Sequence, residues 1–320
     1  MSAPSSLPSP AIDVVIVNWN GGGLVRACLA SLAAAEAELG DALALHVVVV
    51  DNGSTDGSAD DLPALAHGPV VVRAGENLGF ARACNRGAAE GQAGVILFLN
   101  PDTRVSAESL RTAHAALLAD PATGIVGARQ LAGDGRVERS CARAPTPSSL
   151  LGQALALDRL GLVPTHFMTE WDHLDDRAVD QVMGAFLMIR RDLFVRLSGF
   201  DPRFFVYYED VDLCLRARQA GFAVRHVAGA VIRHEGQGTT RQARAHRLLY
   251  ILRGGVLYAA KHHGRAAALA LLALALLAQV PMRLALAARR RSGAEAAEVL
   301  RAGALFLGAA PALLRAVFRR

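Results

Sequence analysis

Residues 46–58 read HVVVVDNGSTDGS. A run of β-branched valines favours extended backbone buried on both faces, and Asp51-Asn52-Gly53-Ser54-Thr55-Asp56-Gly57-Ser58 ends it with turn-forming residues. The same pattern recurs on either side. Ile12 to Val17 (IDVVIV) runs into Asn18-Trp19-Asn20-Gly21-Gly22-Gly23, and Leu24 to Leu39 then has helical periodicity. Val70 to Val72 precedes the loop Glu76-Asn77-Leu78-Gly79-Phe80 and a helix through Ala81 to Ala89. Val95 to Leu99 (VILFL) ends in Asn100-Pro101-Asp102-Thr103, and Ser106 to Ala119 is again helical. Strands alternating with helices predict an α/β fold, Rossmann-like, with a mainly parallel central sheet and helices on both faces. Ligands of such sheets bind outside the carboxyl ends of the strands, where every one of these polar clusters lies. None matches G-x-G-x-x-G or a P-loop, which argues against a nicotinamide-dependent oxidoreductase and a kinase-like phosphate cradle.

A chain of 320 residues has ample material for a core. Its four cysteines, Cys28, Cys84, Cys141 and Cys214, are widely spaced with no Cys-x-x-Cys pair. That spacing predicts a reducing compartment, no disulfide framework and no structural zinc. The start, MSAPSSLPSP, lacks the basic and apolar regions of a secretory signal and reads as a disordered lead-in over residues 1–10. The net charge of +5 is unevenly spread. Residues 1–240 carry 20 Arg against 27 Asp and Glu, a balance of −7, whereas residues 241–320 carry 14 Lys and Arg against two Glu, a balance of +12. The basic character belongs to an appended C-terminal segment.

The densest chemistry lies in residues 181–221, QVMGAFLMIRRDLFVRLSGFDPRFFVYYEDVDLCLRARQAG. An apolar run and the turn Ser198-Gly199-Phe200-Asp201-Pro202 lead to Phe204, Phe205, Tyr207 and Tyr208, and then to Glu209, Asp210 and Asp212. These acids open a helix in which Val211, Cys214, Leu215 and Arg218 share a face and Gly221 stands at the C-terminal cap position. Acids in a first helical turn complement the helix dipole. Beside so much aromatic surface they are also general-base candidates. Burial raises a carboxylate pKa and a helix N-terminus lowers it, so the sequence leaves the outcome open. Between residues 124 and 180 the pattern is irregular, with a hairpin turn at Gly133-Asp134-Gly135 and long loops from Ala144 to Asp180. Ala223 to Ile232 is a strand ending in Arg233-His234-Glu235-Gly236.

Residues 11–240 resemble the inverting family 2 glycosyltransferases of GT-A fold. The likeness rests on VVIVNWNG, VDNGSTDGS (50–58), NLGFARACNRG (77–87), LNPDT (99–103), GAFLMIRRDLF (184–194) and GFDPRFFVYYEDVDLCLRARQAGF (199–222). The last of these looks most like bacterial rhamnosyltransferase-type members. The resemblance implies that Asp51 bonds the donor's pyrimidine base with Trp19 near the ring, and that Asn77 and Asn85 line the nucleotide pocket. It implies that Asp102 holds a divalent cation, Mg²⁺ or Mn²⁺, on the donor diphosphate, with His234 as a second metal ligand. Asn100 stands where the family's first metal-motif Asp is expected, a departure that weakens a metal-linked role there. Asp210 matches the catalytic base. Glu209 and Gly184 would orient the acceptor or border its site. The implied domains are a nucleotide-binding half over about 11–123 and an acceptor half over about 124–240.

In residues 241–320, Arg241, Arg244, His246, Arg247 and Arg253 fall on a helix-like stretch. Two apolar runs, Ala266 to Ala278 and Ala302 to Leu314, flank Arg289-Arg290-Arg291. Gln279, Pro281 and Arg283 break the first run, and at 13 residues each falls short of the roughly 18–20 that a bilayer needs. Arg-flanked apolar faces predict helices lying in a membrane interface. A single tilted span over 266–288 and a helical core appendage are the alternatives. Nucleic acid is not an expected partner, because aliphatic rather than readout residues interleave the arginines. The expected enzyme is an inverting, metal-dependent hexosyltransferase on the cytoplasmic face of the cell membrane. It would take a dTDP-L-rhamnose or UDP-sugar donor and a glycan or lipid-linked acceptor for bacterial surface polysaccharide. The alternative is a catalytically silent nucleotide-sugar-binding scaffold.

Overall fold

In the computed structural model, residues 10–66, 68–163, 165–236 and 244–318 are described. Most of the expected lead-in (1–9) and Arg241 lie outside them, as does the side chain of Arg244. The first half is built as its patterning dictates: β1 (Ala11–Asn18), α1 (Gly23–Leu39), β2 (Ala44–Asp51), β3 (Val70–Arg73), α2 (Phe80–Ala88), β4 (Val95–Leu99) and α3 (Ala107–Ala119). Strands β3, β2, β1 and β4 run side by side in parallel. Alternate residues of β1 serve opposite faces. Val14 and Ile16 pack with α1 and α3, while Val15 and Val17 pack with α2. Hence helices cover both faces, and the strand residues are apolar throughout.

A short β5 (Thr103–Arg104) precedes α3, and β6 (Thr123–Leu131) turns through Gly133-Asp134-Gly135 into β7 (Val137–Glu138). Next come β8 (Cys141–Ala142), α4 (Pro147–Ala154), β9 (Arg177–Ala178), β10 (Gln181–Val182), β11 (Phe186–Arg190), α5 (Arg191–Arg196), α6 (Glu209–Gln219) and β12 (Ala223–His234). Strand β11 inserts between β4 and β6, antiparallel to both, and β12 runs parallel to β6. The carboxyl ends of β1, β2, β4 and β12 therefore share one edge. There His234 pairs with Thr103 of β5, which brings the end of β12 beside the Asn100-Pro101-Asp102 turn.

Helix α6 is buried around most of its circumference, through Val211, Asp212, Leu213, Cys214 and Ala217, while Arg218 is exposed. Gly221, at φ 90°, occupies the left-handed position expected after the helix. The C-terminal segment is α7 (Arg244–His262), α8 (Arg265–Leu274), α9 (Val280–Arg289) and α10 (Gly293–Phe318). The break expected at Gln279 and Pro281 does not end the helix. A π turn over Ala275–Gln279 joins α8 to α9, with the Val280 N–H reaching back five residues to the Ala275 carbonyl. The wider turn just before Pro281 accommodates the proline ring, which has no N–H with which to continue the ladder. The two 13-residue runs thus become continuous helices, Arg265–Arg289 and Gly293–Phe318, each long and apolar enough to cross a membrane. Only 11 % and 22 % of their most apolar windows are buried.

Candidate active site

A cleft of about 1700 Å³ opens at the shared strand edge and continues to the C-terminal helices. Trp19, Asn77, Asn100, Asp102, Gly184, Glu209, Asp210 and His234 all line it. Asn52, Glu138 and Gln181, which sequence reasoning did not single out, line it too. Glu138 sits on the hairpin after β6 and carried no signal of its own. Asn52 was visible as part of the 51–58 turn.

At the ends of β2 and β3, the Asn52 amide donates to Asn77 Oδ1 at 3.0 Å, and Asn52 Oδ1 accepts the Leu78 N–H at 2.9 Å. This reciprocal pair locks two strand-end loops together. Asp51 and Asn85 are not among the lining residues. Asp51 is buried, accepting the Ser54 N–H at 3.1 Å and facing Arg73 at 3.4 Å. Asn85 accepts the Phe200 N–H and donates to the Phe200 carbonyl, both at 2.8 Å. Its amide is a clamp on the Gly199-Phe200 turn rather than a wall of the cleft. A side chain at Gly199 would meet Asn85 Oδ1 at 2.6 Å.

Asp102 is 8 % exposed, and its Oδ1 lies 3.3 Å from His234 Nε2, while His234 Nδ1 lies 3.4 Å from Glu138 Oε2. Burial disfavours the imidazolium, but the Asp102 and Glu138 carboxylates outweigh it and hold the His234 pKa above its ordinary value. The Asn100 carbonyl accepts the Thr103 hydroxyl at 2.6 Å and pins the turn that presents Asp102. A carboxylate oxygen and an imidazole nitrogen at this separation, facing a cleft, form a donor set that fits a divalent cation once the ring is neutral.

Across the cleft, Asp210 Oδ2 accepts the Gly184 N–H at 3.1 Å and Oδ1 accepts the Val211 N–H at 2.8 Å. Burial raises the Asp210 pKa, and these amides with the Gln181 side chain only partly offset it. The balance left open by the sequence is thus decided for burial. Glu209, also buried, is pushed well above the ordinary carboxyl range by desolvation and then by the Asp210 charge. One of its carboxyl oxygens has no hydrogen-bond partner. Tyr207 and Tyr208 precede the pair with φ of 69° and 73°. Left-handed backbone at two aromatic residues costs of order 1–3 kcal/mol each. It persists because Tyr208 seats against Gly254 of α7, where a Cβ would approach its ring to 2.7 Å.

Asp212, beside this pair, does different work. It is fully buried and bonds Arg216 at 2.7 Å, Lys261 at 2.6 Å and His262 at 2.8 Å. Three acids within four positions therefore have two fates: two face the cleft and one ties α6 to α7.

Among curated relatives, an N-acetylglucosaminyl-diphospho-decaprenol L-rhamnosyltransferase of Mycobacterium tuberculosis is 29 % identical over 271 residues, covering 79 % of this chain and 85 % of that one. Rhamnosyltransferase WbbL of Escherichia coli is 46 % identical over 52 residues, 16 % of this chain and 20 % of that one. Among solved structures, the mannosyltransferase PcManGT from Pyrobaculum calidifontis, in complex with GDP-Man and Mn²⁺, superposes with a TM-score of 0.55 at 19 % identity. That superposition covers 95 % of this chain and 89 % of that chain, and it shows the shared GT-A fold. Residues 13–197 match the family described as Glycosyl transferase family 2. With more than half of its length so matched, the chain belongs to that family and is a glycosyltransferase, similar in sequence to these rhamnosyltransferases.

Proposed function

We propose that this enzyme is an inverting, cation-dependent transferase that moves a sugar from a nucleoside-diphosphate donor to a lipid-linked glycan. The observation that carries this reading is the placement of Asp210 and Asp102 on the walls of one cleft, the first desolvated and the second beside an imidazole. The printed activity of the mycobacterial relative supports an L-rhamnosyl donor, dTDP-L-rhamnose, with a UDP-sugar as the rival, and a diphospholipid-borne acceptor in bacterial surface polysaccharide synthesis.

Trp19, Asn52 and Asn77 would wall the nucleotide, with Asp51 fixing the same loop through the Ser54 N–H. Asp102 and His234, with Glu138 against the far side of the ring, would hold a divalent cation, Mg²⁺ or Mn²⁺. When bound, that ion neutralises charge on the departing diphosphate. Asp210 takes the proton of the acceptor hydroxyl as its oxygen attacks the anomeric carbon. The Gly184 amide holds Oδ2 in place, and the raised pKa makes Asp210 a stronger base than an exposed aspartate. Glu209, whose carboxyl burial biases toward the neutral form, borders the same cleft and would orient the acceptor. One displacement inverts the anomeric centre and needs one protein base. The glycoside hydrolases that invert need a second carboxyl to protonate the leaving oxygen.

The basic C-terminal helices suit attachment to the inner face of the cell membrane, where a lipid-linked acceptor would be met. The test is release of nucleoside diphosphate from a donor panel with a lipid-linked N-acetylglucosamine acceptor, with and without EDTA. Acceptor-dependent release that EDTA abolishes is expected. No release from any donor would leave the catalytically silent scaffold reading standing, which otherwise has only Asn100 in its favour.

A further inference from the structure

Away from the carboxylates, Cys141 on β8, His173 in the loop before β9 and His226 on β12 converge inside the protein. Their exposures are 0 %, 1 % and 0 %. One ligand atom from each lies within 4.8 Å of the other two. Cys141 Sγ is 3.3 Å from His226 Nδ1, and His226 Nε2 is 3.1 Å from the His173 carbonyl oxygen. A carbonyl only accepts, so Nε2 carries the ring proton and Nδ1 points its lone pair at the sulfur. Metal-bound histidines are held in this way, one nitrogen on the ion and the other N–H on a carbonyl.

His173 supplies the second observation. Neither of its ring nitrogens has a hydrogen-bond partner in normal geometry although the side chain is buried, the Met168 backbone being the one polar group that interacts with the ring from nearby. Leaving such a group unpaired costs about 1–3 kcal/mol. Its backbone is also held at φ 63°, a conformation that non-glycine residues rarely adopt without compensation. Trp171 stacks on the ring at 4.1 Å, and the Arg177 guanidinium lies 4.4 Å from the Trp171 centroid. A hydrogen bond between Cys141 and His226 in a packed core would explain those two residues. It leaves the orientation and strain of His173 unexplained.

We propose that Cys141, His173 and His226 bind a zinc ion, with water at the fourth tetrahedral position. Zinc bonds of about 2.3 Å to sulfur and about 2.0–2.1 Å to nitrogen set ligand atoms roughly 3.3–3.6 Å apart. The sulfur–nitrogen pair already stands at 3.3 Å, so only the His173 ring has to close in. Binding releases the thiol proton to solvent. A thiolate with two imidazoles selects zinc over the harder cation expected at Asp102. Cys141 and His226 are 85 residues apart in sequence, so no Cys-x-x-Cys spacing announced the site. The ion would tie β8 and β12 to the loop that supplies Thr165, His166, Phe167 and Thr169 to the cleft, fixing one of its walls. The site is separate from the transfer chemistry and does not depend on that reading.

The full chain, purified from zinc-supplemented medium without chelator, is expected to carry about one zinc per molecule by elemental analysis. Replacing zinc with Co²⁺ should give a thiolate-to-cobalt charge-transfer band and the intense visible bands of a tetrahedral site. His173→Ala and Cys141→Ser should each lower zinc content on the order of tenfold, whereas Asp102→Asn keeps it. Should either variant fail to fold, the cobalt spectrum of the wild-type protein decides. Wild-type protein with far less than stoichiometric zinc and no thiolate band on Co²⁺ addition would overturn the proposal. So would zinc that survives both substitutions but is lost with Asp102→Asn.

Discussion

Lys261 Nζ near the end of α7 lies 2.6 Å from Asp212 Oδ1, two residues beyond Asp210 on α6. The same lysine reaches Asp201 Oδ2 at 2.7 Å. The basic C-terminal segment is therefore anchored on the turn and the helix that carry the cleft carboxylates, through a carboxylate with no access to solvent.

Asp212→Asn should cost about 3–5 kcal/mol of stability, because the Arg216 and Lys261 cations would be left facing a buried amide. Urea unfolding checks this. Burial alone would raise the Asp212 pKa, but His262, Arg216 and Lys261 together hold it below the ordinary carboxylate value. A carboxyl depressed in the folded state adds stability that is complete above its unfolded pKa and lost as pH falls through the folded one. Wild-type stability should thus decline below about pH 4, and the asparagine variant should decline less steeply. Parallel acid curves for the two proteins would show that the node carries no such linkage.

For Asp210→Asn, acceptor-dependent transfer should fall about 10²–10⁴-fold while donor binding persists. The raised Asp210 pKa has a second consequence. The base works only when ionised, so kcat/KM should fall on the acid side through a pKa above the roughly 3.9 of an unperturbed aspartate. An acid limb at or below that value would remove the desolvated base from the mechanism.

Much of this site was legible because strand ends can be read from composition. The run Val95 to Leu99 matches β4 residue for residue, and the polar turns after β1, β2 and β4 meet where a parallel sheet must bring them. Periodicity does not encode strand direction, so the antiparallel insertion of β11 could not be read. Long-range pairing was equally hidden. Glu138 joins His234 only because the β6–β7 hairpin folds back beside β12, and Asp212 reads as a helix-capping acid until Lys261 and His262 arrive from α7. Asn85 shows the reverse error. A polar residue in a motif looks like a ligand contact, whereas its amide closes a buried turn. Pro281 was over-read as a stop because a π turn can absorb it.

Asp102→Asn and His234→Ala should each raise the cation concentration needed for half-maximal transfer by about tenfold or more, with the donor saturating. Glu138→Gln should have a smaller effect, since it touches the ring from behind. Metal titration of initial rates measures all three. Equal cation dependence in wild type and both first variants would place the ion elsewhere.

Two glycines at the cleft should respond differently to one added methyl. Gly79 has φ 82°, and a Cβ there would lie 2.5 Å from the Phe205 carbonyl oxygen, which already accepts the Phe80 N–H at 2.6 Å. Gly79→Ala should destabilise by roughly 1–3 kcal/mol and disturb the strained Tyr207-Tyr208 turn, lowering kcat. At Gly184 a Cβ would meet Phe80 at 3.5 Å and Asp210 Oδ2 at 3.9 Å, ordinary contact distances. Gly184→Ala should melt like wild type and show its effect as a raised acceptor KM. A destabilised Gly184→Ala would refute that separation.

Membrane attachment is best tested by point substitution. Deleting residues 265–320 would release the protein from membranes on this reading. It would also strip Leu271, Ala275, Phe306 and Leu313 from the cluster that buries Tyr258 of α7, confounding loss of binding with unfolding. Leu277, Leu300 and Leu307 are 79 %, 58 % and 57 % exposed and contribute little to that cluster. Each buried leucine contributes roughly 1.5–3 kcal/mol, so Leu277→Gln, Leu300→Gln and Leu307→Gln combined should cut binding to anionic vesicles at least a hundredfold. The melting temperature should barely move, since the replaced groups face outward. A triple variant that sediments with vesicles as wild type does would show that the outer faces of these helices do not meet lipid, and the basic segment would then be a structural brace for α6 alone.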